Sequence, residues 1–200
     1  PDGTGAIADR LASESDGRMG VIHRPGKLGL GTAYIAGFKK ALAEGADLIC
    51  TMDADFSHDP SYIPALVSKI EEGYDLVIGS RYVRGGGSSQ TLDRKVLSWS
   101  ANTITRLLLG LHVHDTTAGF RCYRRQVLES LDLDAIHSSG YSFLFEMLFR
   151  VEQRGWKVGE VPIRFQDRRL GVSKVSKNEI VRALKTTARL AWKRLLRKPV

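Results

Sequence analysis

Long apolar runs are missing from this chain. The nearest approach, residues 107–111, falls far below the ~18 consecutive apolar residues that a bilayer-spanning helix needs. Residues 1–15 show no basic start followed by an apolar stretch, so nothing there reads as a secretory signal. Cysteine is scarce: Cys50 and Cys122 are the only two in 200 residues. That excludes a disulfide framework. Because both lie in apolar, strand-like segments, they read as buried reduced thiols of a cytosolic chain. His23, His58, His112, His114 and His137 fall at no metal-ligand or triad spacing, and each reads as a surface or core histidine. No serine sits in a nucleophile elbow and no cysteine has a credible catalytic partner, which argues against nucleophilic catalysis by either. No internal repeat is visible.

What remains is a 200-residue chain that is 42% hydrophobic, enough for one globular domain with a substantial core. Its net charge of +8 is unevenly placed. Residues 164–200 hold 12 Lys and Arg against 2 Asp and Glu, whereas residues 1–163 hold 18 against 20. A localised basic block implies a polyanionic partner: phosphate ligands, an anionic membrane or nucleic acid.

The pattern predicts helices over 5–15, 30–44, 60–72, 92–111 and 142–153, and strands over 19–23, 48–53, 76–80, 118–123 and 158–165. Asp59-Pro60 is a helix start, with Asp as N-cap and Pro at the first helical position. Alternating strands and helices, with strands that are continuous apolar runs, predict a parallel sheet covered on both faces. Residues 84–90 form a Gly/Ser-rich loop, a candidate lid. The last element, a helix over 177–197, places Val181, Leu184, Ala188, Ala191 or Trp192, and Leu195 on one face and Arg182, Lys185, Arg189, Lys193 and Arg197 on the other. This suits either a membrane interface or a surface helix docked with a solvated basic face.

The chemistry-bearing stretch is Asp53-Ala54-Asp55, at the end of the apolar run 48–52. Carboxylates at a strand's carboxyl end sit where open α/β sheets bind ligands. Two residues apart in extended backbone, they point to the same side. The pair fits Mg²⁺ or Mn²⁺ bridging to a diphosphate, and equally an acidic turn capping the next helix. Because Asp59 already supplies that cap, the two earlier carboxylates are available to a ligand. Arg81 directly follows the strand over 76–80, at the same sheet edge. Arg94 and Lys95 open a helix, Arg121 follows Gly119-Phe120, and 167–174 is a polar basic loop. Several cations around one acidic edge suggest more than one phosphate group. Gly29-Leu30-Gly31 allows close backbone approach to a ligand, though it lacks the full dinucleotide spacing.

Taken in order, Gly29-Leu30-Gly31-Thr32-Ala33-Tyr34, then Met52-Asp53-Ala54-Asp55-Phe56-Ser57-His58-Asp59-Pro60, then Gly79-Ser80-Arg81-Tyr82-Val83 with Gly85-Gly86-Gly87, then Asp115 to Arg121, then Val161-Pro162-Ile163-Arg164-Phe165 with Asp167-Arg168 and Gly171-Val172-Ser173-Lys174, the chain resembles the dolichol/polyprenol-phosphate mannosyltransferases. These are family-2 glycosyltransferases of the GT-A fold, a Rossmann-like, mostly parallel sheet with helices on both faces. The match runs from residue 1 to about residue 178. The resemblance implies that Asp55 coordinates a divalent metal, Mg²⁺ or Mn²⁺, and that Asp53 contacts the metal or nucleotide. Ser57 stands where the family often has Gln, as a weaker ligand acting through water. Arg81, Arg94, Arg168 and Lys174, with Ser173, would grip phosphates of the donor and of the lipid acceptor, and Gly29 and Gly31 would lie close to the donor. The family's first strand and base-binding Asp precede its Asp-Gly-Thr turn, whose tail here is Pro1-Asp2-Gly3-Thr4. The expectation is therefore a GT-A-like domain over 1–176 lacking that strand, followed by a basic amphipathic helix over 177–200. Such a fragment is expected to be neither fully active nor very stable alone.

The implied reaction is inverting transfer of mannose from GDP-mannose to a polyprenyl or dolichyl monophosphate. It would occur peripherally on the cytoplasmic face of a membrane, with contact through the C-terminal helix or a membrane partner subunit. A phosphate monoester acceptor, with a second pKa of roughly 6, needs no strong general base. A hydroxyl acceptor would need one, and Glu146 is the carboxylate available, unless it is only a polar position on an apolar helix. The alternatives are a UDP-sugar-dependent glucosyl or amino-sugar transferase, and a non-catalytic sugar-nucleotide or nucleic-acid binding module. Nucleic acid is disfavoured because the basic helix lacks interleaved exposed aromatics.

Overall fold

The computed structural model describes residues 2–167 and 177–196. The chain opens with α1 (Thr4–Ser13) and α2 (Leu30–Ala43), followed by β1 (Leu48–Thr51). A single 3₁₀ turn, Pro60–Tyr62, then leads into α3 (Ile63–Glu71), β2 (Leu76–Ser80) and the short β3 (Gly87–Ser88). After α4 (Leu92–Leu109) come β4 (Arg121–Arg124), α5 (Arg125–Glu129), α6 (Tyr141–Gln153), β5 (Val158–Pro162), β6 (Arg164–Phe165) and α7 (Lys177–Leu195). The Asp59 cap forms as its sequence predicts, its carboxylate accepting the Ser61 N–H at 2.9 Å. The segment 19–23 is not a strand: Met19 and Ile22 stay exposed, and no strand pairs with it among the described residues.

The main sheet has the order β1-β4-β2-β5. Strands β1, β2 and β5 run the same way, and β4 runs antiparallel between β1 and β2. The sheet is thus mixed, with one reversed strand in an otherwise co-directional set. Side-chain alternation across the pleat builds two cores. Ile49, Leu76, Ile78 and Tyr123 face α2, α5 and α6, where Phe38, Phe143 and Phe149 complete the larger cluster. Val77 and Cys122 face the other way, toward Leu66 and Ile70 of α3, with Phe120 and Ile163. Cys50 lies directly opposite Cys122, but because β1 is an outer strand of this sheet its thiol is exposed, not buried as its apolar neighbours suggest.

α6 is buried almost throughout, and it carries two charged residues into the core. Glu146 accepts from Arg150 one turn on, at 2.7 Å, and its second oxygen accepts from Arg189 of α7. A second joint lies at the start of α6, where Glu179 accepts the Tyr141 N–H at 3.2 Å. Along the same side α7 buries Leu190 completely, with Thr187 and the flanks of Ala183 and Ala191. Burying a carboxylate is costly unless both oxygens are paired, and removing one partner of such a network strands the others. Glu146→Ala should therefore lower unfolding free energy by about 3–5 kcal/mol, read from the urea midpoint, because Arg150 is left buried without its carboxylate.

Candidate active site

Strand β1 ends at Thr51, two residues before the acidic pair, and the backbone bends from Ala54 onward. The shared orientation of Asp53 and Asp55 thus comes from a turn, not from extended backbone. Phe56 adopts φ 65°, a left-handed conformation uncommon for a bulky side chain. Sparsely populated backbone of this kind persists where surrounding contacts over-determine it. Those contacts are present. Ser57 donates both its N–H, at 3.1 Å, and its hydroxyl to Oδ1 of Asp55. The Asp53 N–H donates to Nδ1 of His58 at 3.0 Å. Ser57, expected as a weak metal ligand, is thus placed as a buried donor that orients Asp55.

His58 is the residue that sequence reasoning set aside. Its ring stacks on Phe120 at 5.1 Å and meets the edge of Phe165 at 5.6 Å. Burial holds its pKa below the ordinary value, against the opposing pull of Asp53 and Asp55. The ring is therefore neutral at pH 7, and accepting at Nδ1 leaves the proton on Nε2. Tyr34 was likewise quoted only as part of a motif. Its phenol lies at the same point as Asp53 and His58, since a Cβ added at Gly119 would meet all three. Burial and then the Asp53 charge push its pKa up, so it stays a neutral phenol. Tyr34, Asp53 and Asp55 line one open groove of about 720 Å³ between α2 and β1.

Gly29 and Gly31 begin α2 in different ways. Gly29 caps the helix at φ 96°, a backbone that L side chains rarely adopt. Gly31 makes its close approach to Phe143 and the Ser138 carbonyl, where an added Cβ would sit at 2.8 and 2.9 Å. Its close packing is thus against the protein itself.

The cations divide sharply. Arg81 is gripped by Asp115 in bidentate fashion, Nε to Oδ2 at 2.7 Å and Nη2 to Oδ1 at 2.8 Å, with Thr117 at 3.0 Å. Burial alone would lower its pKa, but the Asp115 charge outweighs this and keeps it firmly protonated. Asp115 is in turn anchored through its N–H by Glu160, at 3.0 Å. Arg121, counted from sequence among the possible phosphate cations, is fully buried, and its guanidinium donates to the carbonyls of Thr116, Ala118 and Leu144. It shapes the loop 115–120 from beneath. Arg94 sits in the first turn of α4, paired with Asp167 at 3.2 Å.

These pieces converge on β6. β3 pairs with β6, the Gln166 N–H donates to the Ser57 carbonyl, and the Asp167 N–H donates to Ser89. The Arg81 guanidinium lies 5.5 Å from the Phe165 ring centre. The acidic turn, the loop 81–90 and the start of α4 therefore meet at one corner. Arg168, Ser173 and Lys174 lie outside the described residues. Among the described residues no cluster of three or more His, Cys, Asp or Glu could enclose a metal ion. Glu146 is remote in function from this corner, being fully buried and locked between two arginines.

The fold and its acidic turn are those of a GT-A nucleotide-sugar transferase. Residues 1–132 match the family described as glycosyl transferase family 2, and the chain belongs to it. It is 49% identical over 185 residues to the polyprenol monophosphomannose synthase of Mycolicibacterium smegmatis, covering 92% of this chain and 70% of that one. It is 48% identical over 177 residues to the undecaprenyl-phosphate mannosyltransferase of Micrococcus luteus, covering 88% and 72%. Among solved structures, glucosyl-3-phosphoglycerate synthase from Mycobacterium tuberculosis in complex with UDP superposes with a TM-score of 0.61 at 20% identity. That likeness, in fold alone, covers 92% of this chain and 64% of the other. The same synthase with Mn²⁺, UDP-glucose and phosphoglyceric acid gives a TM-score of 0.60, also at 20% identity, over 90% and 64%.

His58→Phe should keep the stacking on Phe120 while stranding the Asp53 N–H. The expected cost is about 1–3 kcal/mol of stability, read by chemical denaturation.

Proposed function

We propose that the protein transfers mannose from GDP-mannose to a polyprenyl or dolichyl monophosphate, with inversion and dependence on Mg²⁺ or Mn²⁺. The observation that carries this reading is the Asp53/Asp55 turn fixed beside the Arg94–Asp167 corner. Support for the substrates comes from relatives named for polyprenol and undecaprenyl phosphate mannosylation.

The donor set fits a hard divalent ion. Asp53 and Asp55 are carboxylates on one turn, and a diphosphate and water would complete the oxygen shell. When bound, the ion supplies Lewis-acid stabilisation of the negative charge that builds on the leaving diphosphate. The residues of the chain do the rest. Ser57 and the His58 contact hold the two carboxylates in place, so no reorganisation is needed as charge develops. Arg81 contributes the donor capacity that Asp115 and Thr117 leave over. The new bond forms between an acceptor phosphate oxygen and the anomeric carbon, while the bond from that carbon to the β-phosphate oxygen breaks and GDP departs. At neutral pH the acceptor is already largely anionic, so no proton has to be removed. The burial of Glu146, the carboxylate that a hydroxyl acceptor would have required, supports a phosphate acceptor. Positive charge must instead let two anions meet. Arg94 would exchange Asp167 for the acceptor phosphate, with Arg168, Ser173 and Lys174 as the sequence candidates beside it.

No helix among the described residues is long and apolar enough to cross a membrane. In this reading the protein works peripherally on the cytoplasmic face, reaching its lipid through the C-terminal helix or a membrane partner subunit.

The test is transfer by the purified protein from GDP-mannose, GDP-glucose or UDP-glucose to a short-chain polyprenyl phosphate, with and without Mn²⁺. GDP-mannose should be the preferred donor, and only with metal. Asp55→Ala should lower kcat about 100-fold or more, and Arg94→Ala should raise the acceptor KM. Preference for UDP-glucose would replace mannose in the reading. Transfer indifferent to metal and to Asp55 would overturn the mechanism.

A further inference from the structure

Of the α2 side chains that line the groove beside the acidic turn, Tyr34 alone among the described residues carries a polar atom. Its neighbours along that wall are Leu30, Ala33, Gly37, Phe38 and Ala41. Packing accounts for the Tyr34 ring, which lies 5.9 Å from the Phe38 ring and 5.5 Å from that of Phe143. A phenylalanine would make the same contacts. Packing does not account for the hydroxyl, which makes no hydrogen bond among the described residues. Yet the fold leaves room for it. A Cβ added at Gly119 would sit 2.8 Å from the phenol oxygen, 3.8 Å from Oδ1 of Asp53 and 3.9 Å from Cε1 of His58. Gly119 has no positive φ, so what glycine supplies here is space. The hydroxyl and the Asp53 carboxylate thus face one point at the mouth of the groove.

We propose that Tyr34 and Asp53 together hold one sugar hydroxyl of the nucleotide-sugar donor, Tyr34 donating to it and Asp53 accepting from it. This assignment rests on the donor class proposed above. The chemistry of the groove selects a hydroxyl. An ionised carboxylate only accepts hydrogen bonds, whereas a phenol donates one. Asp53 and Asp55 therefore supply acceptors to this corner. The Thr51 hydroxyl already donates to the Gly119 carbonyl at 2.7 Å, and the Cys50 thiol is a weak donor. Tyr34 is left as the strong side-chain donor facing the turn. A phosphate oxygen would use the phenol but meet only repulsion from the carboxylate. A hydroxyl both gives and takes a hydrogen bond, so it matches the pair. Because a carboxylate has two oxygens, Asp53 can face an ion with one and the hydroxyl with the other. A site that pairs with a hydroxyl in this way discriminates against an analogue lacking it, since its own polar groups are then left unpaired. The ribose and the hexose of the donor both carry such a group, and the two sources are separable by experiment.

The test compares the whole protein with its Tyr34→Phe variant, which keeps the ring and should unfold at the same urea midpoint. With Mn²⁺ present, GDP and 2′,3′-dideoxy-GDP are titrated by calorimetry, and GDP-mannose is followed through transfer. Where the hydroxyl is that of the ribose, Tyr34→Phe should weaken GDP binding about three- to tenfold and leave the dideoxy analogue unchanged. Where it is that of the hexose, GDP binding should stay unchanged while kcat/KM for GDP-mannose falls by about the same factor. Either pattern supports the pair. A variant equal to the unaltered protein toward all three compounds would overturn it. So would equal weakening of GDP and its dideoxy analogue, because the phenol would then serve the diphosphate or the packing. Failure of the donor reading looks different. If UDP-glucose is the preferred donor, UDP and its dideoxy analogue become the probes, and the same two patterns still support the pair. An unaltered protein that binds no sugar nucleotide would overturn both.

Discussion

Everything at the site corner depends on the bidentate pair between Arg81 and Asp115. Asp115 is fully buried and the Arg81 side chain nearly so. Such a pair is a poor source of net stability, because taking both ions out of water costs about as much as their attraction returns. Its value is positional. It joins the loop after β2 to the loop before β4, and each end is held by further bonds that cannot shift independently. Glu160 on β5 accepts the N–H groups of His114 and Asp115. Asn102 of α4 accepts from both the backbone and the hydroxyl of Thr116. Thr117 receives a bond from Arg81 and another from Asn102. Strand, loop and helix are thus fixed to one another around Asp115.

The same logic explains why so many cations of this basic chain are unavailable to a ligand. Arg121 spends its donors on three backbone carbonyls, those of Thr116 and Ala118 in the irregular loop before β4 and that of Leu144 in α6. Arg150 and Arg189 neutralise Glu146, and Arg124 donates to the carbonyls of Tyr74 and Ile70. What distinguishes Arg94 is its place. Its partner Asp167 is exposed, at a corner open to solvent, so a phosphate can compete with it for Arg94 at modest cost.

How much of this the sequence discloses follows from the range of each interaction. The acidic turn was legible because it is local: an apolar strand, two carboxylates and a separate cap for the next helix all lie within about a dozen residues. The GT-A framework was legible from ordered motifs. Strand β4, in contrast, runs antiparallel, and its direction is set by pairing with both β1 and β2, which no local pattern encodes. The burial of Arg121 depends on carbonyls up to 23 residues away. His58 was dismissed for lacking a histidine or cysteine partner at metal spacing. Its actual partner is a backbone N–H five residues earlier, a signal that only its position inside the Asp-rich turn could have suggested. In α7 the period was legible, while the sequence left open whether the apolar stripe or another face docks on the domain. Hydrophobic periodicity locates the apolar stripe but does not say whether protein or lipid covers it, and here small residues satisfy the protein side.

α4 connects the two halves of the molecule. Its first turn holds Arg94, its middle holds Ser98 against Tyr82 and Asn102 against Thr116 and Thr117, and its outer face holds the exposed apolar stripe. The site corner and the outer surface are therefore opposite sides of one rigid element. A surface that binds α4 more tightly in one position than in another must bias the loop 115–119, and through it Arg81, by that same difference in affinity. The outer face of α4 and the arrangement of the site corner are consequently linked by geometry. No mobile hinge between them is needed, because the polar inner face of α4 is itself the wall of the site.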